Sequence, residues 1–278
     1  HIQSGQWKKL DDVFWTIIPF GTGGRRGRMY PIGSNAINDG TIGESAQGVA
    51  DYVLAMDPPI KNPSCAIAYD TRHKSRHFAE LCAEILVGNG FTVYFLDGYR
   101  STPELSFAVR YHKATVGIMV TASHNPPSDN AVKVYWSSGA QVLPPHDRGI
   151  IEGVLNAGQL KRTPFGIAVE AGHVKFTQAE VDEAFIKAVA AQGLGGPRDL
   201  NILYTPLHGV GASAVVPALL ADGFKQVEIY GPHEAADSNF TNVPGQVANP
   251  ENPAVFDGPV TYAKEHGHEL VMASDPDC

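Results

Sequence analysis

The chain has 278 residues, 43% hydrophobic and 18% charged, a length sufficient for two cores and a composition that excludes disordered and fibrous classes. Its formal charge of −8 argues against a nucleic-acid partner, whose backbone needs a concentrated basic surface, yet a few arginines in a cleft can still hold a phosphorylated small molecule. No apolar run is long enough to cross a bilayer and residues 1–10 lack the apolar core of a signal peptide, so a soluble protein with no membrane partner is expected.

In chain order, residues 1–12 form a polar lead-in expected at the surface, and the absence of an initiator methionine before His1 points to a processed or partial record. Next comes Phe20-Gly21-Thr22-Gly23-Gly24-Arg25-Arg26-Gly27-Arg28, where glycines permit close backbone approach and arginines offer planar donors. On those grounds a solvated basic turn and an anion site stand level. Residues 40–56 carry Ile42, Ala46, Val49, Ala50 and Val53 at the spacing of a core-facing helix. A strand over 65–69, a helix over 75–87 closed by Gly88 and Gly90, and a strand over 91–96 follow. Thr102-Pro103-Glu104 then opens a helix to about residue 113. A third strand, built on the apolar run 116–120, is expected to end at Ser123. The β-α-β-α-β order predicts a largely parallel sheet covered by helices. Three scattered cysteines, Cys65, Cys82 and Cys278, suit packing and a reducing cytoplasm better than a disulfide framework or a cysteine-based zinc site.

Ser123 falls just past the carboxyl end of a buried strand, the edge where open α/β sheets bind ligands. Ser-His-Asn alone fits a turn better than a nucleophile. The Gly-x-Ser-x-Gly hydrolase pattern is absent, because Thr121 and Asn125 flank Ser123. Arg72, in Asp70-Thr71-Arg72 after an earlier strand, could face the same crevice; the favoured reading is that Asp70 and Arg72 tie their own loop together.

Beyond residue 149 the pattern weakens: Pro144-Pro145 and residues 156–172 read as loops, and 178–191 as an amphipathic helix leading out of a first domain. The Gly-rich stretch 193–197 marks a boundary, giving domains 1–192 and 193–278. The order then recurs, with a strand over 200–204, a helix over 211–221, a strand over 226–230, a helix near 256–265 and a strand over 269–273. Between them, residues 231–252 form a long Pro- and Asn-rich loop of unassigned role. Gly88-Asn89-Gly90-Phe91 is echoed by Ala221-Asp222-Gly223-Phe224, so two consecutive similar α/β domains are expected. His208 reads as a hydrogen-bonded loop histidine or a ligand-facing group. The carboxylates of Ser274-Asp275-Pro276-Asp277 suit either a hard divalent cation or a solvated terminus.

Several strings together are more specific than any residue alone. Thr121-Ala122-Ser123-His124-Asn125-Pro126, followed by Asp129-Asn130 and Lys133-Val134-Tyr135-Trp136, resembles the phosphoserine loop of the α-D-phosphohexomutases, the phosphoglucomutase and phosphomannomutase family. The segment 20–27 resembles that family's amino-terminal Phe-Gly-Thr-x-Gly-x-Arg-Gly signature, with Arg26 at its active-site arginine. The segment 204–211 resembles the entry to its second domain, and Asp275-Pro276-Asp277 the start of its Asp-Pro-Asp-x-Asp-Arg metal loop. Two departures stand out: Ala131 replaces the usual glycine after Asn130, and the metal loop stops before its third aspartate and arginine. Lys133 matches the family's active-site lysine.

The resemblance implies two successive mixed, mostly parallel α/β domains and a phosphosugar mutase. Phospho-Ser123 would pass its phosphoryl group to a phosphorylated hexose or pentose through a sugar bisphosphate, moving phosphate between the 1-position and the 6- or 5-position. Mg2+ is the implied metal, held by Ser123, Asp275 and Asp277. Lys133 is implied as the proton-transfer group, with His124 and Arg26 assisting. The phosphoglucomutase and phosphopentomutase branch fits best, with phosphopentomutase the alternative activity. The rival readings are a noncatalytic sugar-phosphate-binding fragment and a serine phosphatase. Because the family's later domains lie beyond the metal loop, this chain by itself is expected to be inactive.

Overall fold

The computed structural model describes residues 5, 7–21 and 23–278; residues 1–4 and 6 of the polar lead-in, and Thr22 of the amino-terminal signature, lie outside the described residues. Among the described residues no helix is long and apolar enough to cross a membrane.

The first sheet has six strands in the order β1-β5-β4-β2-β3-β6: β1 (Gly24–Arg28), β2 (Ser64–Tyr69), β3 (Thr92–Phe95), β4 (Val116–Val120), β5 (Asp129–Trp136) and β6 (Val174–Phe176). The centre, β4-β2-β3-β6, is parallel, and β5 and β1 extend it antiparallel. This is the mixed, mostly parallel sheet expected. The sequence does not announce β1 or β5 as strands: Gly-Arg-Arg-Gly-Arg carries no apolar alternation and is held in the sheet by pairing with β5.

Alternation along the central strands separates two helical layers. Cys65, Ile67 and Tyr69 of β2 face a core formed with α2 (Asp39–Leu54), α3 (Ser75–Gly88), α5 (His146–Leu155) and α6 (Phe165–Glu170), while Ala66 and Ala68 face α4 (Thr102–Tyr111) and α7 (Gln178–Ala190). Small residues on that second face let α4 lie close, and a Cβ at Gly117 would stand 2.5 Å from Val109. α1 (Trp7–Phe14) makes a helix of the lead-in, with Trp7 and Phe14 exposed. α2 begins with a capping box: the Thr41 amide donates to Asn38 Oδ1 at 3.1 Å and the Asn38 amide to Thr41 Oγ1 at 3.0 Å.

Two expectations need correction. Residues 156–172 are not loop throughout, since α6 forms there; its amino-terminal Phe165 amide donates to Glu84 Oε1 of α3 at 2.9 Å, a cap supplied by another element. The strand before the serine ends at Val120 rather than Ser123, because the chain turns there: the Ser123 amide donates to Thr121 Oγ1 at 2.8 Å, and Ser123 is left-handed with φ +54°.

The second sheet, β8-β7-β9, is parallel throughout: β7 (Asn201–Thr205), β8 (Gln226–Ile229) and β9 (Leu270–Ala273), with α8 (Val215–Ala221) and α9 (Asp257–His266) between its strands. The loop over 231–252 contains short 3-10 turns and buries Phe240, Val243 and Ala248 against Leu207.

Candidate active site

The carboxyl ends of β4 and β9 face one another. From the first comes Ser123, and from the second Asp275, whose Oδ1 accepts the Ser123 hydroxyl at 2.8 Å. The other oxygen of the same carboxylate, Oδ2, lies 2.9 Å from His124 Nδ1, and that ring nitrogen is 3.4 Å from Ser123 Oγ. Serine, histidine and carboxylate thus form one small cluster across the two sheets.

The second carboxylate engages different partners. Asp277 Oδ2 accepts from Lys133 Nζ at 2.9 Å and from Thr102 Oγ1 at 2.9 Å, and the Asp277 carbonyl accepts the Thr102 amide at 2.8 Å. The sequence marks Thr102 only as a helix opener; the side-chain cap of α4 is in fact Ser101, which accepts the Glu104 amide, and this leaves the Thr102 hydroxyl free for Asp277. Lys133 sits mid-strand in β5, opposite Met119 on one side and Gly24 on the other. Ala131, at the position where the family carries glycine, is extended strand paired with Arg26, so no left-handed backbone is required there.

The two aspartates differ in environment. Burial, then the neighbouring Asp277 carboxylate, pushes Asp275 above the ordinary carboxylate range. Asp277 bears the same cost of burial, but Lys133 beside it holds its carboxyl below that range. Two carboxylates crowded with a hydroxyl form an all-oxygen donor set, which suits a hard divalent cation. Ser123, Asp275 and Asp277 therefore fit Mg2+ in kind, although among the described residues no group of three or more His, Cys, Asp or Glu side chains is placed to hold a metal.

Arg26, on edge strand β1, is exposed, and with Lys133 it lines a cavity of about 440 Å3. Its neighbour Arg25 is buried and engaged structurally, donating to Thr41 O at 2.7 Å and pairing with Glu44 at 2.9 Å. Arg72 ties to Asp70 within its own loop, through its amide to Asp70 Oδ1 at 3.1 Å, but its guanidinium also faces the crevice of Ser123, the reading less favoured above, donating to the carbonyls of Ser123, Asn125, Pro126 and Asp129. His208 is buried, with Nδ1 2.8 Å from Ala235 O, a hydrogen-bonded loop histidine.

Known proteins match along nearly the whole chain. Phosphoglucomutases of Staphylococcus haemolyticus and Staphylococcus aureus are 34% and 35% identical over 267 and 268 residues, covering 95% and 96% of this chain and 48% of each relative. The chain thus spans about half the length of the curated relatives it matches. Two solved structures share the fold. A Thermus thermophilus protein matches with TM-score 0.77 at 24% identity, over 94% of this chain and 55% of its own. A phosphoglucomutase/phosphomannomutase family protein of Burkholderia thailandensis matches with TM-score 0.72 at 19% identity, over 94% and 54%. The model of phosphoglucomutase/phosphomannomutase alpha/beta/alpha domain I matches residues 18–161, with the serine loop inside it, and the model of domain II matches residues 183–278, with both aspartates inside it. With these two domains in that order, and their loops meeting at Ser123 and Asp275, the chain belongs to the phosphoglucomutase/phosphomannomutase family.

Proposed function

We propose that the protein carrying this chain is a phosphosugar mutase that moves a phosphoryl group between the 1-position and the 6- or 5-position of a sugar, with Ser123 as the covalent carrier. The observation that carries this reading is the hydrogen bond between Ser123 Oγ and Asp275 Oδ1, which joins a strand-end hydroxyl of one sheet to a carboxylate of the other. The substrate is a phosphorylated hexose or pentose, the intermediate a sugar bisphosphate, and the setting cytoplasmic. We further propose that the chain divides into units 1–192 and 193–278.

In the forward half-reaction the bond between phosphorus and Ser123 Oγ breaks while a bond from phosphorus to the sugar hydroxyl oxygen forms. The hydroxyl proton leaves to a base and ends on Ser123 Oγ. Turning of the bisphosphate and the reverse of these steps return a phosphoryl group to Ser123 and release the isomeric monophosphate. A phosphoserine adds roughly −1.5 to −2 charges beside Asp275 and Asp277. Mg2+, held by Ser123, Asp275 and Asp277, would offset that charge and stabilise the transferring group electrostatically.

The remaining work falls to side chains of this chain. Lys133, once its contact with Asp277 opens and its ammonium has given a proton to solvent, can take the hydroxyl proton as the neutral amine, and its place beside Arg26 on one cavity sets both against the same anionic ligand. His124, bonded to the far oxygen of Asp275, holds that carboxylate toward Ser123. Exposure to a radiolabelled sugar bisphosphate, followed by mass mapping, tests the reading: label on Ser123 is expected, and label elsewhere or nowhere counts against it.

A further inference from the structure

The loop after β4 turns its carbonyls toward a single side chain. Arg72 is 3% exposed; its Nε donates to Ser123 O at 3.1 Å and its Nη1 to Pro126 O at 2.9 Å and Asp129 O at 3.2 Å, while Nη2 donates to Ser123 O and Asn125 O. A guanidinium suits this task, having five donors in a rigid planar fork and a charge that persists when buried. Asp70 Oδ2, 3.4 Å from Nε, balances that charge.

These contacts bear on the direction of the Ser123 oxygen. The peptide before Ser123 is fixed by its amide bonding Thr121 Oγ1 at 2.8 Å, and the peptide after it by its carbonyl bonding Arg72. Holding both planes sets φ and ψ of Ser123, which is how a non-glycine residue is kept at φ +54° against a cost of about 1–2 kcal/mol.

The second sheet's long loop reaches the same arginine. The fully buried Phe240 ring has its centroid 5.2 Å from the Arg72 guanidinium carbon, within the range of a cation–π contact. Beside it Ser238 Oγ donates to Thr71 O at 2.7 Å, and Asn239 Oδ1 lies 2.8 Å from His73 Nε2. The part of 231–252 that carries Ser238 to Phe240 thus grips the residues on either side of Arg72 and Arg72 itself.

We propose that Arg72 is a positioning residue for Ser123, seated by Phe240, so that residues 231–252 aim the phosphoryl carrier from the second sheet. The functional part rests on Ser123 being that carrier; the positioning itself does not.

Two readouts separate these parts. Amide hydrogen exchange over residues 121–129 reports the positioning, and phosphate uptake by Ser123 from a sugar bisphosphate reports its consequence. Arg72→Lys keeps a charge but loses the fork, so loop exchange is expected to quicken by about tenfold or more, with uptake slowed at least as much while β4 exchanges as before. Phe240→Leu should give a smaller change in the same direction. In Arg72→Ala, millimolar guanidinium should restore loop protection and uptake, and methylammonium should not; if that variant fails to fold, Arg72→Lys and Phe240→Leu decide. Wild-type loop exchange in Arg72→Lys, or equal rescue by methylammonium, overturns the proposal. A loop that responds as expected in a protein that never takes phosphate on Ser123 overturns the carrier reading alone.

Discussion

Ser123 and Asp275, 152 positions apart, meet through a 2.8 Å hydrogen bond that closes the gap between two sheets. Neither sheet brings all of these groups, since the first carries the Ser123 hydroxyl and Lys133 and the second carries the two carboxylates. Function on this scaffold therefore depends on the packing of one sheet's loops against the other's.

Replacing Ser123 separates chemistry from backbone strain. Ser123→Ala and Ser123→Gly should both abolish phosphate uptake at this position, since neither has the oxygen that forms the ester. They should differ in stability, because a left-handed Cβ costs about 1–2 kcal/mol and glycine removes it. Urea unfolding is expected to show Ser123→Gly as the more stable of the two by about 1 kcal/mol, less the entropy glycine adds to the unfolded chain.

Lys133 and Asp277 form an ion pair whose side chains are 21% and 8% exposed, so removing either partner strands the other's charge. Lys133→Met and Asp277→Asn should each destabilise the protein by about 1–3 kcal/mol, and the double variant by clearly less than their sum. Additive losses in a denaturation cycle would count against a direct pair. In the protein that carries this chain, Lys133→Met should also slow phosphoryl transfer by about 10²–10⁴-fold if the lysine moves the proton.

Asp275 offers the sharper metal test, since its oxygens meet Ser123 and His124 and no lysine. Asp275→Asn keeps the shape and removes one unit of negative charge from the oxygen donor set. Mg2+ affinity measured by calorimetry should fall strongly, while the melting temperature without metal should change little or rise, because the crowding with Asp277 is relieved. An unchanged Mg2+ titration would remove Asp275 from the ligand set.

Much of this was legible in the sequence for a physical reason. β2, α3, β3, α4 and β4 bury continuous or periodic apolar faces, and such faces are written locally. β1 and α6 were not legible, since one is a polar edge held by β5 and the other is capped by Glu84 from α3. The site divides in the same way. Ser123, His124, Lys133, Asp275 and Asp277 lie in contiguous strings, and the structure brings them together. Thr102, Arg72 and Phe240 act through partners far along the chain, and no local pattern marks where a buried arginine finds its four carbonyls or which ring covers it. Loop 231–252 likewise showed its turn residues but not their destination.

The Glu104–Asp182 pair predicts how stability depends on pH away from the serine. Glu104 is 2% exposed, with Oε2 unpartnered, whereas Arg100 binds Asp182 through two hydrogen bonds of 2.7 Å and stands 3.8 Å from Glu104. Burial, then the Asp182 carboxylate, pushes Glu104 up to about 8, while Arg100 holds Asp182 below the ordinary range against the cost of its own burial. For Glu104 the folded state binds the proton more tightly than the unfolded state, so its contribution is complete at acid pH, below the unfolded pKa, and is lost as pH rises through about 8. For Asp182 the sign is opposite, with stability present above its unfolded pKa and lost as pH falls through its folded one. Glu104→Gln keeps a neutral hydrogen-bonding group at the junction of α4 and α7 and has no proton to lose. Unfolding free energy measured from pH 5 to pH 9 should therefore decline less steeply in Glu104→Gln than in wild type, with the curves separating between the unfolded pKa and about 8 and running parallel above it; curves parallel from pH 5 upward would mean that Glu104 is already ionised in the folded protein at acid pH.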